Sequence, residues 1–174
     1  MTSADRDAWI QEAQRGDVAA FEQLYRAHAD QIYGLCLRMT ADPSSAEDCT
    51  QNAFIQAWRR IEQFQGRSGF GTWLHRIAVN EVLMARRRQV PEALGIEHEG
   101  AGPDAPAEVG LDLETAIAEL PEQARHIFVL HAVYGHTHEE IADLLGLVSG
   151  TVRAHYHRAR QALKGRLALE DDDD

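Results

Sequence analysis

The chain has 174 residues, with 28 acidic and 17 basic side chains and a formal net charge of −11 at pH 7. Its length allows one domain or two small ones. No stretch reaches the roughly 18–20 apolar residues of a membrane span, and the first residues are polar where a signal peptide is basic and then apolar. These features argue against membrane insertion and predict a cytoplasmic protein. The cysteines, Cys36 and Cys49, form no CxxC pair, which predicts buried reduced thiols rather than a disulfide scaffold or zinc site.

The charges are distributed in blocks along the chain. Residues 59–91 carry seven basic and two acidic side chains, and residues 149–169 carry five basic and none acidic. Between them, residues 92–122 carry nine acidic side chains and no basic one. Local positive patches, rather than net charge, determine binding to a polyanion. The pattern therefore permits a nucleic-acid binder with two contact regions, although arginines on solvated helix faces would give the same pattern.

Helical periodicity dominates the first half. Asp17 is predicted to cap a long helix over about 17–40, and Asp42 with Pro43 forms the next helix start. The glycine-containing stretch 63–71 is predicted to be a loop, and a third helix is expected from about Thr72 to Arg88. The stretch 91–110 is rich in proline, glycine and acids, so it is predicted to be a flexible linker.

The second half is also predicted to be helical. A short helix is expected over 111–120, and another from Pro121 to a stop at Gly135. Thr137 with Glu140 fits a capping box at the start of a short helix, and Gly146 is predicted to end that helix. Ser149 is predicted to cap a final helix that reaches about residue 168. No strand pattern occurs, so the predicted fold class is all-α. The prediction is two small helical domains joined by the linker, the second containing a helix-turn-helix.

The helix-turn-helix over 137–168 is the clearest candidate site. Its second helix has an inward apolar stripe, and the opposite face is polar and basic. We assign Arg158, Arg160 and Lys164 to phosphates, and Thr151, Arg153 and His155 to base edges in the major groove. Ser149 completes this predicted surface. A plain helical hairpin would also show the pattern.

A second candidate site lies in the first basic block. Arg67 and Ser68 stand in a glycine-containing loop near the aromatic residues Phe64, Phe70 and Trp73. Such a loop has the donors and rings needed to hold an unpaired base. The alternative is that the aromatic residues are ordinary core, which we favour for Trp73.

Two distant sets of residues resemble the extracytoplasmic-function family of bacterial sigma factors. In the second half they are Leu120-Pro121-Glu122, the run 140–146, the run 150–153 and the run 157–160. In the first half they are the runs 21–25, 46–54 and 64–80. The resemblance covers about 130 residues in the family's order, with an acidic linker where the family has one.

The resemblance implies a specificity subunit of RNA polymerase, with a −10-binding domain at 1–90, the linker at 91–110, a −35-binding domain at 111–169 and an acidic tail at 170–174. It implies that Asn80 faces an extruded −10 base and that arginines hold phosphates. The −10 surface then comprises Arg67, Ser68, Phe70, Arg76, Asn80, Arg86, Arg87 and Arg88. Contact with the β′ clamp helices of core polymerase is assigned to Asp48, Gln51, Asn52, Phe54 and Trp58, and the β flap of the polymerase is expected as a further contact. An anti-sigma factor is expected as a further partner.

Five positions depart from the family pattern. Val148-Ser149 inverts the family's order of a polar cap followed by an apolar residue, which can move the cap by one position. Asn52 replaces a more usual acidic residue, and Ala154 and His155 stand where serine and arginine are common. Loss of the arginine is expected to weaken or retune −35 recognition.

The chain shows no motif for catalysis, metal or cofactor binding, so we predict no enzyme, no cofactor and no metal. Two alternatives stay open. One is a helix-turn-helix regulator that acts without a sigma role, and the other is a protein-interaction adaptor.

Overall fold

The computed structural model describes residues 3–89 and 113–168. All regular structure in these ranges is helical, as the sequence predicts. The predicted linker, 91–110, and acidic tail, 170–174, lie outside the described residues. The helices are α1 (Ser3–Gln14), α2 (Val18–Thr40), α3 (Pro43–Arg60), α4 (Phe70–Gln89), α5 (Leu113–Ala118), α6 (Glu122–Phe128), α7 (His138–Leu145) and α8 (Ser149–Ala168).

The chain folds into two compact units. The first contains α1, α3, α4 and α2 up to Leu37. The second contains α5 to α8 together with Arg38–Ala41. None of the described helices has the length and apolar character needed to cross a bilayer.

In the first unit, α3 and α4 pack along one another and α2 supplies much of the core. Leu24, Ile32, Leu35, Leu74 and Val79 are almost completely buried. Each such side chain contributes roughly 1.5–3 kcal/mol by leaving water. This core fixes which faces of α3 and α4 stay exposed.

The helix starts in the first unit follow local chemistry. Asp17 Oδ1 accepts hydrogen bonds from the amides of Ala19 and Ala20 at 2.8 and 3.2 Å. Asp42 accepts one from the Ser45 amide at 2.8 Å, directly before Pro43. These bonds satisfy amides that have no partner inside the helix. Both predicted caps are confirmed.

The sequence analysis missed α1 and placed the start of α4 too late. Gln14 Nε2 donates hydrogen bonds to the carbonyl oxygens of Ile61 and Phe64, at 3.0 and 2.9 Å. These partners are about fifty residues away, so no local pattern indicates them. Phe70 and Gly71, predicted to lie in a loop, belong to α4. A Cβ on Gly71 would meet His28 at 3.2 Å, so glycine permits the close approach of α4 to α2.

The second unit is built around α8. Ile127, Leu130, Ile141 and Val152 are fully or almost fully buried in it. The predicted capping box is confirmed, because Thr137 and Glu140 exchange side-chain and backbone hydrogen bonds at the start of α7. Gly146 ends α7 with φ of 67°, a left-handed conformation that favours glycine.

Two details of this unit differ from the prediction. The helix starting after Pro121 does not continue as a regular α-helix, because Val129–Val133 form a π turn in which the Tyr134 amide donates to the Val129 carbonyl. Ser149 is the first helical residue rather than the cap. The carbonyl of Val148 accepts the first backbone bonds of α8, from Thr151 and Val152.

Both cysteines are free and buried, as the sequence predicts. Burial raises the pKa of the Cys36 thiol to about 12. Burial also raises the pKa of Cys49, with smaller contributions from the charges of Glu81 and Asp48.

We expect both thiols to resist modification in the folded protein. With a pKa of about 12, only about one in ten thousand Cys36 groups is a thiolate at pH 8. A thiol assay with Ellman's reagent should detect almost no rapid reaction in the native protein and both thiols after denaturation. Reaction of either cysteine within seconds in the native protein would contradict the burial that the structure shows.

Candidate nucleic-acid interfaces

The outer face of α8 is the first candidate interface. Val152, Ala159 and Leu163 are buried and Tyr156 is half-buried, which confirms the predicted inward stripe. The opposite face therefore points to solvent. The residues predicted for the −35 element divide into exposed Arg153, Arg158, Arg160 and Lys164 and half-buried Ser149, Thr151 and His155.

Two acidic residues set the charge around this face. Arg153 Nη2 lies 3.8 Å from Glu139 of α7, and both side chains are largely exposed. At such exposure an ion pair contributes little, so Arg153 is available for another partner. Arg166, by contrast, hydrogen-bonds to Glu119, just after α5. Lys164 and the arginines up to Arg160 therefore carry the available positive charge of α8.

Two histidines of the second unit, His131 and His138, pack against each other and against Tyr156 of α8. The rings of His131 and His138 stack with centroids 4.2 Å apart, and His131 lies edge-on to Tyr156 at 4.5 Å. His131 Nδ1 contacts the His136 carbonyl at 2.7 Å. Desolvation, followed by the charges of His131 and Arg153, lowers the pKa of His138. Within the described residues no three His, Cys, Asp or Glu side chains converge as metal ligands would.

The second candidate interface lies on α4 and the loop before it. The predicted −10 residues are exposed except for two, with Arg67, Arg76, Asn80, Arg86, Arg87 and Arg88 at the surface. Ser68 is half-buried. The last turn of α4 holds three consecutive arginines, where the helix dipole also favours cations. The surface thus combines one amide with a row of guanidinium groups.

Phe70 requires a correction. Its side chain is only 6% exposed and packs against Phe64 and Trp73, with ring centroids 5.7 and 5.6 Å away. The sequence predicts that Phe70 belongs to the DNA-contacting set, but it lies beneath that surface. Phe64 and Trp73 are half-buried, so each keeps part of its ring exposed.

The predicted polymerase-binding residues lie on α3. Asp48, Gln51 and Asn52 are exposed on one side of the helix. Trp58 is half-buried against Phe21, with centroids 5.0 Å apart. Phe54 is 5% exposed and contacts Tyr25, so it supports the surface from within and is corrected from a contact to a core residue.

Sequence reasoning missed one group of residues on this unit. Arg60 at the end of α3 lines a cavity together with Asn80, Glu81 and Arg87 of α4. Glu81 is 8% exposed, which is unusual for a carboxylate. It is the sole acidic residue in α4, and that isolation was the available signal in the sequence.

Comparison with known proteins agrees with this arrangement. Family models for Sigma-70 region 2 and Sigma-70 region 4 match residues 24–91 and 110–163. The chain is 38% identical to the ECF RNA polymerase sigma factor SigE of Mycolicibacterium smegmatis, over 88% of this chain and 65% of that protein. It is 33% identical to the ECF RNA polymerase sigma factor SigW of Bacillus subtilis, over 91% of this chain and 94% of that protein.

A solved sigma-factor structure is also similar to this chain. The sigma factor RpoE of Bartonella quintana, crystallised with the anti-sigma factor NepR, aligns with a TM-score of 0.61 and 26% identity. The alignment covers 88% of this chain and 99% of that one. The chain therefore belongs to the extracytoplasmic-function sigma factors, the alternative sigma factors that direct RNA polymerase to specific promoters.

Proposed function

We propose that this chain recognises the −35 element with its second unit and opens the −10 element with its first, while bound to core RNA polymerase. The observation that carries the proposal is that each unit presents its own exposed basic surface on a chain with a net charge of −11. Such local patches attract a polyanion even when the whole chain is acidic. The residue ranges 1–90, 91–110, 111–169 and 170–174 remain our proposed division of the chain.

For the −35 element, α8 acts as the recognition helix. Its buried stripe holds it against α6 and α7, so its outer face can enter the major groove. Thr151, Arg153 and His155 lie near its start, where a recognition helix meets base edges. Arg158, Arg160 and Lys164 lie further along and are assigned to phosphates.

For the −10 element, the surface of α4 holds the separated strand. Asn80 has both a donor and an acceptor for a base edge, and Arg76 with residues 86–88 neutralises phosphates. Arg67 and Ser68 in the preceding loop add donors near the exposed edges of Phe64 and Trp73. Stacking on aromatic rings stabilises an unpaired base by about 1–3 kcal/mol.

The exposed polar side of α3 is proposed to bind core polymerase. Asp48, Gln51 and Asn52 would contact the β′ clamp helices, with Trp58 at the edge, while the second unit reaches the β flap. The complex of RpoE with NepR supports an anti-sigma factor as a further partner. Because its work is done on the polymerase, we place the chain in the cytoplasm and propose no catalytic activity of its own.

Transcription in vitro tests this function. The full chain is mixed with core RNA polymerase and genomic DNA, and transcript ends are sequenced. Initiation from a defined set of promoters that depends on the added chain is the expected result. DNA binding without core polymerase and without initiation would instead indicate a helix-turn-helix regulator. Neither binding nor initiation would favour the adaptor hypothesis.

A further inference from the structure

We propose that Gln14, at the end of α1, is a positioning residue for the −10 loop, the segment from Phe64 to Gly69 that precedes α4. Its side-chain amide holds the entrance of this loop in one conformation, so that Arg67 and Ser68 are already in place when the promoter opens. The inference rests on the proposed function, because it concerns the loop to which −10 contacts are assigned. It adds a residue that acts through the loop rather than on the DNA.

Gln14 joins α1 to the entrance of the loop. Its Nε2 atom donates hydrogen bonds to the carbonyl oxygen of Ile61 at 3.0 Å and to that of Phe64 at 2.9 Å. The Phe64 amide also donates to the Ile61 carbonyl, at 3.0 Å. The side-chain amide therefore ties together both ends of the 3₁₀ turn Ile61–Gln63, from which the loop emerges. Because carbonyl oxygens only accept hydrogen bonds, both bonds require an N–H donor at this position.

The backbone that carries Gln14 is itself held in place. Ala13, the residue before it, is 1% exposed. Directly after it the chain turns, and the amides of Gly16 and Asp17 donate to the carbonyl oxygens of Ala13 and Glu12 at 3.0 and 3.1 Å. Gly16 has φ of 92°, a conformation that favours glycine. A side chain that leaves such a fixed turn can hold a neighbouring segment in a defined position.

The −10 loop has little internal support. Within the part of the chain that the structure describes, residues 65–68 form no backbone hydrogen bond. At the far end of the loop, the Trp73 amide donates to the Gly69 carbonyl at 3.1 Å, in the first turn of α4. At the near end, the Phe64 carbonyl accepts from Gln14. The conformation of the segment between these points therefore depends on how its two ends are held.

Aromatic packing does not replace the bond from Gln14. The Phe64 ring packs against Phe70 and Trp73, with centroids 5.7 and 5.2 Å away. These contacts fix the side chain of Phe64. The direction in which the chain continues to Gln65 is set instead by ψ of Phe64, which is 114°, and thus by where its carbonyl oxygen points. Gln14 holds that oxygen.

A loop held in advance binds more tightly than a loose one. An ordered segment loses less conformational entropy when it engages its ligand. Without the bonds from Gln14, the contacts assigned to Arg67 and Ser68 should therefore weaken although both side chains are intact. Binding to the closed duplex precedes these contacts and should change little.

Three substitutions separate the bonds from the general effect of a change in α1. Gln14→Met keeps nearly the same side-chain length but removes the N–H donor. Gln14→Glu places acceptor oxygens opposite the two carbonyl oxygens and should have the larger effect. Gln14 is half-buried, so neither change puts a large group into the core. Gln11→Met is the matched control, since Gln11 is an exposed glutamine of the same helix.

Trypsin cleavage of the free full chain measures the tie directly. Arg67 is exposed and lies inside the loop, so the bond after it is a trypsin site. The rate of cutting follows the population of the locally opened form. Cleavage after Arg67 should be about tenfold faster in Gln14→Met, which corresponds to about 1.4 kcal/mol of local stability. Cleavage after Arg160 in α8 is the internal reference and should keep its wild-type rate.

Transcription by the full chain with core RNA polymerase measures the consequence. Permanganate reactivity of unpaired thymines should fall about five- to tenfold in Gln14→Met, while closed-complex binding changes little and Gln11→Met matches wild type. A purely structural role would lower opening and closed binding together. Gln14→Met should add little to the opening defect of an Arg67→Ala, Ser68→Ala double variant, because a loop without its contacts has no placement left to lose.

Cleavage after Arg67 at the wild-type rate in Gln14→Met, or opening at the wild-type level, overturns the inference. A fully additive loss in the triple variant does so as well. Failure of the wild-type chain to initiate at any promoter overturns the proposed function, and this role of Gln14 with it. The two failures are distinguishable, because only the first leaves a wild-type chain that initiates.

Discussion

Replacing Arg76 and Asn80 together by alanine is expected to reduce promoter opening by about ten- to 100-fold while closed-complex binding changes much less. Asn80 is assigned to an unpaired base, and such a contact contributes about 1–3 kcal/mol. Arg76 is assigned to the phosphates of the same strand. Both side chains are exposed, so their loss should leave the fold intact. In duplex DNA the base is not yet available, which is why binding before opening depends less on these groups.

Permanganate reactivity of unpaired thymines measures opening, and a gel-shift assay at low temperature measures closed binding. Arg15 and Gln11 provide a matched control, since they are an exposed arginine and an exposed amide that do not belong to the residues assigned to the −10 surface. Their double alanine variant should behave as wild type. Equal losses of opening and closed binding in the Arg76 and Asn80 variant would contradict the proposed division of labour between the two units.

Replacing Arg153 by alanine is expected to reduce −35-dependent transcription by roughly tenfold or more and to relax base preference at one position. Arg153 is exposed near the start of α8, where a recognition helix reads base edges. Its ion pair with Glu139 is long and solvated, so the substitution should change the free energy of unfolding little.

Competition with −35 variants gives the measurement, and two other residues of α8 give the comparison. Lys164→Ala should weaken binding to all −35 sequences equally. It should also reduce the slope of log affinity against log salt concentration by about one, as expected for a phosphate contact. Arg166→Ala should act on stability instead, because Arg166 bonds to Glu119. A sequence preference that stays unchanged in Arg153→Ala would remove this residue from the base-reading set.

Local chemistry explains which parts of the fold the sequence predicts. The caps at Asp17 and Asp42 and the capping box at Thr137 each involve residues within three positions of one another, so their pattern is visible in the sequence. The buried stripe of α8 follows helical periodicity in the same way. By contrast, α1 is fixed by the bonds from Gln14 to Ile61 and Phe64, and no local signal reveals partners so distant in the chain.

The candidate sites, like the fold, could be predicted from the sequence only in part. Charge and helical spacing suffice to place Arg153, Arg158 and Arg160 on an outer face. They do not tell whether an aromatic residue lies on the surface or beneath it, and Phe54 and Phe70 are therefore buried where contacts were expected. Burial of a polar residue depends on which helices pack together. The burial of Glu81 could therefore not be predicted from the sequence.

The π turn at Val129–Val133 limits which sequence changes this segment can accept. Each residue added to or removed from a helix rotates everything after it by about 100°. The wide turn incorporates one residue more than a regular helical turn, and α7 and α8 follow it. This segment should therefore accept exchanges of similar size at its outward positions, yet reject single-residue insertions and deletions, because these would rotate the fully buried Val129 or Leu130 out of the core of the second unit.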